Sequence, residues 1–499
     1  MFFVPTCIVL LAIVLYWIKL TNDANRFAKD IPGPKSYPLI GCAHLFVGSE
    51  EYTFKVVCEL FRKYTHMFRL TLGPKTIVCL SDPELIQQAL TTGACQNKAF
   101  FYRFLEMDYG LVSARYGDWK QYRKMLNPAF NQRILVSFIS IFSRCSDTMV
   151  ARMGLEEQHG RPFDALYYTA QCTLEMVCAS SLKSDITNDP HANLVCHGLE
   201  KIAAIMSSRV FNMLLYSDLF FAMTHRYREM QRERVQVKAV VDPILFKRRD
   251  EIHQARTESV VENQNEETYR KPMVFLDQLL NMQRNGQELA MEEIENHLYT
   301  IIGAGSETTA NQVGYIIWLL AMHPEVQDRV YKEIQSVYGA DLHNISYEAL
   351  STQTYLEQVI KESMRLFPVA PLIGRETIEP MTLGNMVIPA GVTILINILN
   401  LHRRKDLWGD RAHLFDPDRF DPSTYEARKG HPYSYIPFGG GPRNCIGYRY
   451  GMLAMKVMVT KVVSAYQLST PLTLDNPLRL SFAVTLKLGV GHLINIKRR

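Results

Sequence analysis

Residues 438 to 447 read FGGGPRNCIG, and a cysteine set behind three consecutive glycines constrains the fold more than any other stretch of this chain. Glycines at 439, 440 and 441 remove every Cβ from the backbone there, which lets main chain pass close to something bulky and flat and permits positive φ. The loop is built to press against a partner. Arg443 stands two residues before Cys445, where a fixed cation favours the thiolate and can bind an anionic group on the same partner.

The chain around this loop is that of an ordinary globular protein: 499 residues, 47% hydrophobic and 21% charged, long enough for one large core or two unequal ones. Its formal charge of +5 is too mild to argue for nucleic acid, and no helix-turn-helix, zinc-finger or RNA-binding signature accompanies it. Ten cysteines are scattered singly, with no CxxC pair, which favours reduced thiols in a cytosol-facing domain. Outside the glycine loop they read as small buried apolar residues.

The N-terminus runs from Phe2 to Ile18 without a charge, about 26 Å as a helix and just enough for a thin bilayer. No basic segment precedes it and no small-residue cleavage site follows, so it reads as an anchor and not a cleaved leader. Lys19, Arg26 and Lys29 follow the run and keep the body of the protein in the cytosol by the positive-inside tendency, with the endoplasmic reticulum as the membrane. Three prolines and two glycines in IPGPKSYPLIG then make a stiff hinge.

Beyond the hinge the sequence is mixed but mostly helical. Residues 67 to 80 alternate around a Gly-Pro turn and predict a hairpin. Helix-period stretches run from about 117 to 250, broken near 184 to 191 by SDITNDPH. His253 to Lys271 has almost no large apolar residues and reads as an exposed loop or a solvated helix end.

The periodicity from Met291 to Met322 predicts a single helix crossing the core, about 48 Å long and ended at His323-Pro324. Its middle, Ala304-Gly305-Ser306-Glu307-Thr308-Thr309, is what a helix interior should avoid. Two readings stand: a polar face turned to solvent, or a buried acid beside an alcohol, poised to deliver protons. Apolar residues on all sides favour the second.

Glu362 and Arg365 in KESMR are three apart and share a helical face, and FDPDRF supplies Arg419. A Glu with two Arg can lock a helix to a loop just ahead of the cysteine. Trp119 and Arg123 in WKQYR form another helical pair, offering an indole donor and a guanidinium to one anion. Half-buried packing with a snorkelling arginine is its plainer reading.

FGGGPRNCIG, with KESMR, AGSETT, WKQYR and FDPDRF in order, resembles the haem-thiolate monooxygenases, the cytochromes P-450. The loop matches Phe-x-x-Gly-x-Arg-x-Cys-x-Gly at each fixed position, and the likeness runs from Pro32 to the C-terminal hairpin. It implies a mainly α fold with small β-sheets (α+β), a long central helix over the haem and an N-terminal transmembrane helix. The implied division is 1-19 membrane anchor, 20-41 linker and proline-rich hinge, and 42-499 haem-thiolate catalytic domain. More local likeness, in DIPGPKSYPLIG and around Gly305, is to insect members of the fatty-acid hydroxylase clan.

Carried onto this sequence, the resemblance implies Cys445 as the axial thiolate on haem iron, a ligand that favours O-O cleavage, with Phe438 packed near it. Trp119, Arg123 and Arg443 would bind haem propionates, with Arg375 as a fourth donor. Glu362, Arg365 and Arg419 match a structural cluster. Thr308 matches the alcohol beside the oxygen site, and Glu307 its acidic partner where Asp is commoner. Several clan members esterify the haem through a glutamate before the helix glycine; here that residue is Ala304, so haem b is expected to be non-covalent and terminal fatty-acid hydroxylation is discounted. Gly451 replaces a usual alanine, weakening that helix slightly.

By position, the pocket would be lined from Phe100 to Leu111, Val210 to Phe221, Gly303 to Thr308, Val369 to Ile373 and Ala483 to Thr485, apolar segments that suit a lipophilic substrate arriving from the membrane. Lys120, Arg123, Lys124, Arg449 and Lys456 would form a basic face for an acidic flavoprotein, solvated surface charge being the equal alternative. The partners implied are NADPH-cytochrome P450 reductase, cytochrome b5 as a further electron donor, O2 and a lipophilic small molecule. The expected function is insertion of one oxygen atom of O2 into that substrate. The alternatives are a haem-thiolate isomerase or dehydratase of hydroperoxides, and a non-catalytic haem-binding protein; the pair Glu307 and Thr308 weighs against both.

Overall fold

The structure, a computed structural model, describes residues 26–499 except Pro74, 188–190, 263–273, 285, 340–341, 343, 424–429 and 473–478, and of 256–262 the backbone alone. The predicted anchor and the start of the linker lie outside the described residues. The helices that build the site are α1 (Glu50–Lys63), α2 (Pro83–Thr91), α3 (Tyr116–Leu126), α4 (Ile139–Glu157), α5 (Ala165–Ser181), α6 (Ala192–Phe211), α7 (His225–Glu262), α8 (Met291–Met322), α9 (Pro324–Tyr338), α10 (Thr354–Leu366) and α11 (Tyr448–Ala465). The chain is mainly α with small sheets, as expected.

Local chemistry sets several of these boundaries. Ser49 accepts from the Tyr52 N–H to open α1, and Asp82 caps α2 ahead of Pro83 at its first turn. The central helix α8 has the predicted limits: Glu293 reaches back to the Ala290 N–H at 3.0 Å, and Pro324 starts α9 where α8 ends. Residues His253 to Glu262 continue α7, so the first half of that polar segment is helix. The remainder of it lies outside the described residues.

The expected hairpin forms as β1 (Met67–Leu72) and β2 (Lys75–Leu80), paired antiparallel with Met67 opposite Leu80. They join β3 (Asn97–Lys98), β4 (Leu372–Glu376) and β5 (Thr393–Asn397) in a sheet of order β1-β2-β5-β4-β3, with β2 and β5 parallel. The short β3 pairs with β4 and sets Lys98 opposite Arg375. Near the C-terminus β6 (Leu480–Ala483) and β7 (Thr485–Leu488) form a hairpin of their own. The proline hinge is tied down, because Arg69 Nη1 donates to the carbonyls of Ala28, Lys29 and Ile31 at 2.6 to 2.7 Å.

The core runs along α8, which is buried from Thr309 through Ala321 and packs on α5. A Cβ on Gly305 would stand 3.0 Å from Val177 Cγ2, so glycine allows α5 to close in. Thr173 and Thr169 of α5 then donate to the carbonyls of Ser306 and Ala310 at 3.0 and 3.1 Å. The unhelical middle of α8 therefore serves close helix packing on one side and faces a cavity on the other.

Candidate active site

A cavity of about 600 Å³ lies between α8 and the cysteine loop, and Cys445, Phe438, Trp119, Arg123, Glu307, Thr308, Arg375 and Arg443 all line it. The Cys445 N–H donates to the Phe438 carbonyl at 2.9 Å, closing the loop on itself before α11 begins. Gly439 and Gly441 have φ of 72° and 68°, conformations that favour glycine. Only part of the expected role holds: Gly439 borders the cavity, whereas a Cβ on Gly441 would overlap the Leu90 carbonyl oxygen and one on Gly440 would stand 2.6 Å from Tyr433 Cε1. Two of the three glycines thus seat the loop on α2 and its neighbour. Gly451 costs no packing either, since its nearest neighbour, Phe438 Cε1, would be 3.9 Å from a Cβ.

Arg443 does not hold the thiol as its place in the sequence suggested. Its guanidinium donates to the Ala114 carbonyl at 3.0 and 2.9 Å and lies 4.7 Å from the centre of the Trp119 ring. Burial pushes the Cys445 thiol up, and what pulls it back is the Gly447 N–H followed by the charges of Arg123 and Lys98. Arg123 donates to both oxygens of Asn444, at 2.8 and 2.9 Å, and so braces the loop next to the sulfur.

Lys98, a residue the sequence reasoning missed, completes a cluster of cations. Lys98 and Arg375 face each other across β3 and β4, and both line the cavity with Arg443 and Arg123. Burial lowers the basicity of Lys98, Arg375 and Arg443, the last to about 9, and the neighbouring cations lower Lys98 and Arg443 further. Among the described residues no carboxylate pairs with Lys98, Arg375 or Arg443, and the Nε atoms of Arg375 and Arg443 are buried without an acceptor. Such a cluster is costly to bury unless an anion meets it.

On the opposite wall Thr308 Oγ1 donates to the Ala304 carbonyl at 2.6 Å, the backbone bond a helical threonine favours. Glu307 is turned from Thr308 toward the C-terminal hairpin: its Oε1 accepts from Thr485 Oγ1 at 2.7 Å and lies 3.2 Å from Lys487 Nζ. Burial pushes its carboxyl up, with Lys487 as the main opposing influence.

The Glu-Arg-Arg residues come together. Glu362 and Arg365 have wholly buried side chains and make a two-pronged bond, 2.7 Å on each prong. Arg365 also donates to the carbonyls of His402, Ala412 and Leu414, and Glu362 accepts from the Asp416 N–H. Arg419 adds a longer contact to Glu362 at 3.5 Å. His402 carries the arrangement to the cysteine loop, because the Ile436 N–H donates to its Nε2 at 2.9 Å.

The expected substrate walls are partly redrawn. The segments near 102 to 111, 303 to 308, 369 to 373 and 484 to 485 line the cavity, but nothing from Val210 to Phe221 does. Leu214, Leu219 and Phe220 of that stretch are exposed, and the wall comes instead from the preceding turns of α6, at Leu199, Ile202, Ala203 and Met206. Arg234, Lys238 and Glu295, polar residues not foreseen, line it as well, beside Glu106 of the expected segment. Lys456 is not part of a basic face: it is buried and bonded to Glu357 at 2.9 Å and to the Leu350 carbonyl.

The family profile described as Cytochrome P450 matches residues 31–488. The chain is 31% identical to "Cytochrome P450 4d1" of Drosophila melanogaster over 91% of this chain and 90% of that one. It is 30% identical to "Cytochrome P450 4c21" of Blattella germanica over 93% and 92%. To "Probable cytochrome P450 313a4" of Drosophila melanogaster it is 29% identical over 97% of both. With its cysteine loop closed on a cavity ringed by unmatched cations, and with these likenesses along nearly its whole length, the chain belongs to the cytochrome P450 family.

Proposed function

We propose that this chain is a membrane-anchored monooxygenase that holds haem b non-covalently on Cys445 and oxidises a lipophilic substrate with electrons from an NADPH-dependent reductase. As a cytochrome P450 it is an oxidoreductase of the haem-thiolate monooxygenase class. The observation that carries the finer reading is the buried Arg375 and Arg443 with the half-buried Lys98 beside Cys445, with no carboxylate partner among the described residues. Two propionates would supply the missing anions, and Arg375 Nε and Arg443 Nε would supply the missing donors. The cavity, the free thiol and the donors fit the group. Bound there, a thiolate-ligated haem iron supplies reductive activation of O2 and insertion of one atom into a carbon–hydrogen bond.

The chain's own residues do the rest. Arg123 fixes the cysteine loop through Asn444, Trp119 carries Arg443 on its face, and Phe438 holds the Cys445 N–H through its carbonyl. Glu307, whose carboxyl burial pushes up against the opposing charge of Lys487, lines the cavity as a group that can take up and return a proton, and Thr308 keeps its oxygen lone pairs available there. Glu362, Arg365 and Arg419 brace the loop from behind. The methyl of Ala304 offers no carboxylate for an ester link to the cofactor.

For the membrane, the apolar run Phe2 to Ile18 is supported by an exposed apolar patch at Leu39, Ile40, Val47, Leu214 and Phe220. The two stretches of the patch meet where Met213 abuts Gly73 and Phe46 packs on Phe211 at 5.7 Å. An endoplasmic reticulum location with the catalytic domain, residues 42–499, in the cytosol follows from the same run and the charges after it. Lys120, Lys124 and Arg449 are exposed near the cysteine side and suit an acidic reductase or cytochrome b5.

The test is the difference spectrum of the reduced protein under carbon monoxide, with Cys445→Ala and Thr308→Ala beside it. A thiolate-type Soret band lost in the cysteine variant alone is expected, with NADPH consumed but product diminished, by about 10²-fold or more, in the threonine variant. A histidine-type spectrum in the native protein would sink the reading.

A further inference from the structure

We propose that the substrate pocket of this enzyme takes neutral lipophiles, such as esters, alcohols or hydrocarbons, and discriminates against a free carboxylate. This deepens the monooxygenase reading and rests on it. The pairing of charges differs along the lining of this one cavity. Near Cys445 the cavity-lining cations have no carboxylate, and in that reading the cofactor's own carboxylates meet them. Along the rest of the lining each cation has a carboxylate partner.

There the charged lining residues are Glu106 and Glu295 against Arg234 and Lys238, two of each sign, while Glu307 is paired with Lys487. Neither cation is free. Arg234 is bonded to the Glu106 carboxylate and to the Leu105 carbonyl. Lys238 lies 2.9 Å from Glu295 and 3.6 Å from Asp242. Behind the wall, Lys487 is shared between Glu307 and Glu200 at 3.2 Å each, and the buried Arg209 sits 2.6 Å from Asp218 and against the rings of Phe104 and Phe221. Most of the remaining wall is apolar, including Leu111, Ile202, Met206, Val237 and Ile373, with Asn296, Tyr299 and Thr300 among its polar members.

A substrate carboxylate entering here gives up water and finds each lining cation already paired with a glutamate. Desolvation and like charge both oppose it. An ester, alcohol or hydrocarbon of equal length gains the same apolar contact without either penalty. A hydroxyl would in addition find acceptors in Glu106 and Glu295.

The experiment titrates the full-length holoenzyme with lauric acid, methyl laurate and lauryl alcohol near neutral pH, read by the Soret shift and independently by calorimetry. The ester and the alcohol are expected to bind at least about tenfold more tightly than the acid, about 1.4 kcal/mol. In the Glu106→Gln, Glu295→Gln double variant, which takes one carboxylate from each of Arg234 and Lys238, the acid should gain about tenfold and the ester change little. An acid that binds as tightly as the ester in the native enzyme overturns the proposal, and so does failure of both neutral lipids to bind. If the double variant does not fold, the native comparison decides alone. The carbon monoxide spectrum of the same preparation judges the haem-thiolate reading separately, and calorimetry needs no haem signal.

Discussion

Glu362 and Arg365 are wholly buried and fully met, each bonded to the other and to backbone around it, whereas among the described residues Lys98, Arg375 and Arg443 have no carboxylate partner. Both groups pay desolvation, yet only the first recovers it within the chain. The difference separates architecture from function: complete charge networks hold the loop that bears Cys445, and an incomplete one waits for the ligand that completes it. Placing cations without acids around a cavity is a specification of charge, written before the ligand arrives.

The comparison breaks most visibly at Glu362. Glu362→Ala leaves Arg365 buried and unmatched and should cost about 3–5 kcal/mol of stability, read by thermal or denaturant unfolding. A loss below about 1 kcal/mol would mean the cluster braces nothing. Arg375→Met should do the opposite to the cofactor-free chain, leaving it as stable or more so, while haem affinity falls by about 2–5 kcal/mol in transfer to a competing apoprotein. If the cofactor-free Arg375→Met chain is instead as destabilised as Glu362→Ala, the two groups are of one kind.

A third test uses protons. Burial lowers His297 and His492 to about 4 and His402 to about 3, below the ordinary histidine value. The unfolded chain takes up these protons first, so stability is fully present above about pH 6.5 and declines as pH falls through the interval down to about 4. At pH 5.5 each ring should account for a loss of about 1.4 kcal/mol, and replacing one by a neutral isostere should flatten the profile in proportion. The smallest effect belongs to exposed charge: Lys120→Glu and Lys124→Glu should leave stability within about 0.5 kcal/mol. They should slow reductase association severalfold at low salt, an effect that vanishes as salt rises.

What the sequence made legible was local. The loop at 438 to 447 is contiguous, so spacing alone marks Cys445, and the limits of α8 follow from an apolar period with a capping glutamate and a proline at its ends. The turn of Glu307 toward Thr485 and Lys487 had no such signal, because those residues enter from the C-terminal hairpin. Lys98 escaped notice for a similar reason: a two-residue strand carries no pattern, and only pairing with β4 sets it against Arg375. The stretch from Val210 to Phe221 misled because apolar residues suit a pocket and an outer patch equally, and only the rotation of α6 decides which wall faces in. Lys456 looked like surface charge until Glu357 and the Leu350 carbonyl surrounded it.

His402 joins the two halves of this account. Its carbonyl accepts from Arg365, its Nε2 accepts from the Ile436 N–H, and the proton therefore sits on Nδ1, 3.4 Å from the Met364 carbonyl. One imidazole, held in one tautomer, is thus a common hinge pin for the brace and the metal-binding loop. Neither can come loose without disturbing the other, so warming should loosen the Glu362–Arg365 brace and the seat of Cys445 together.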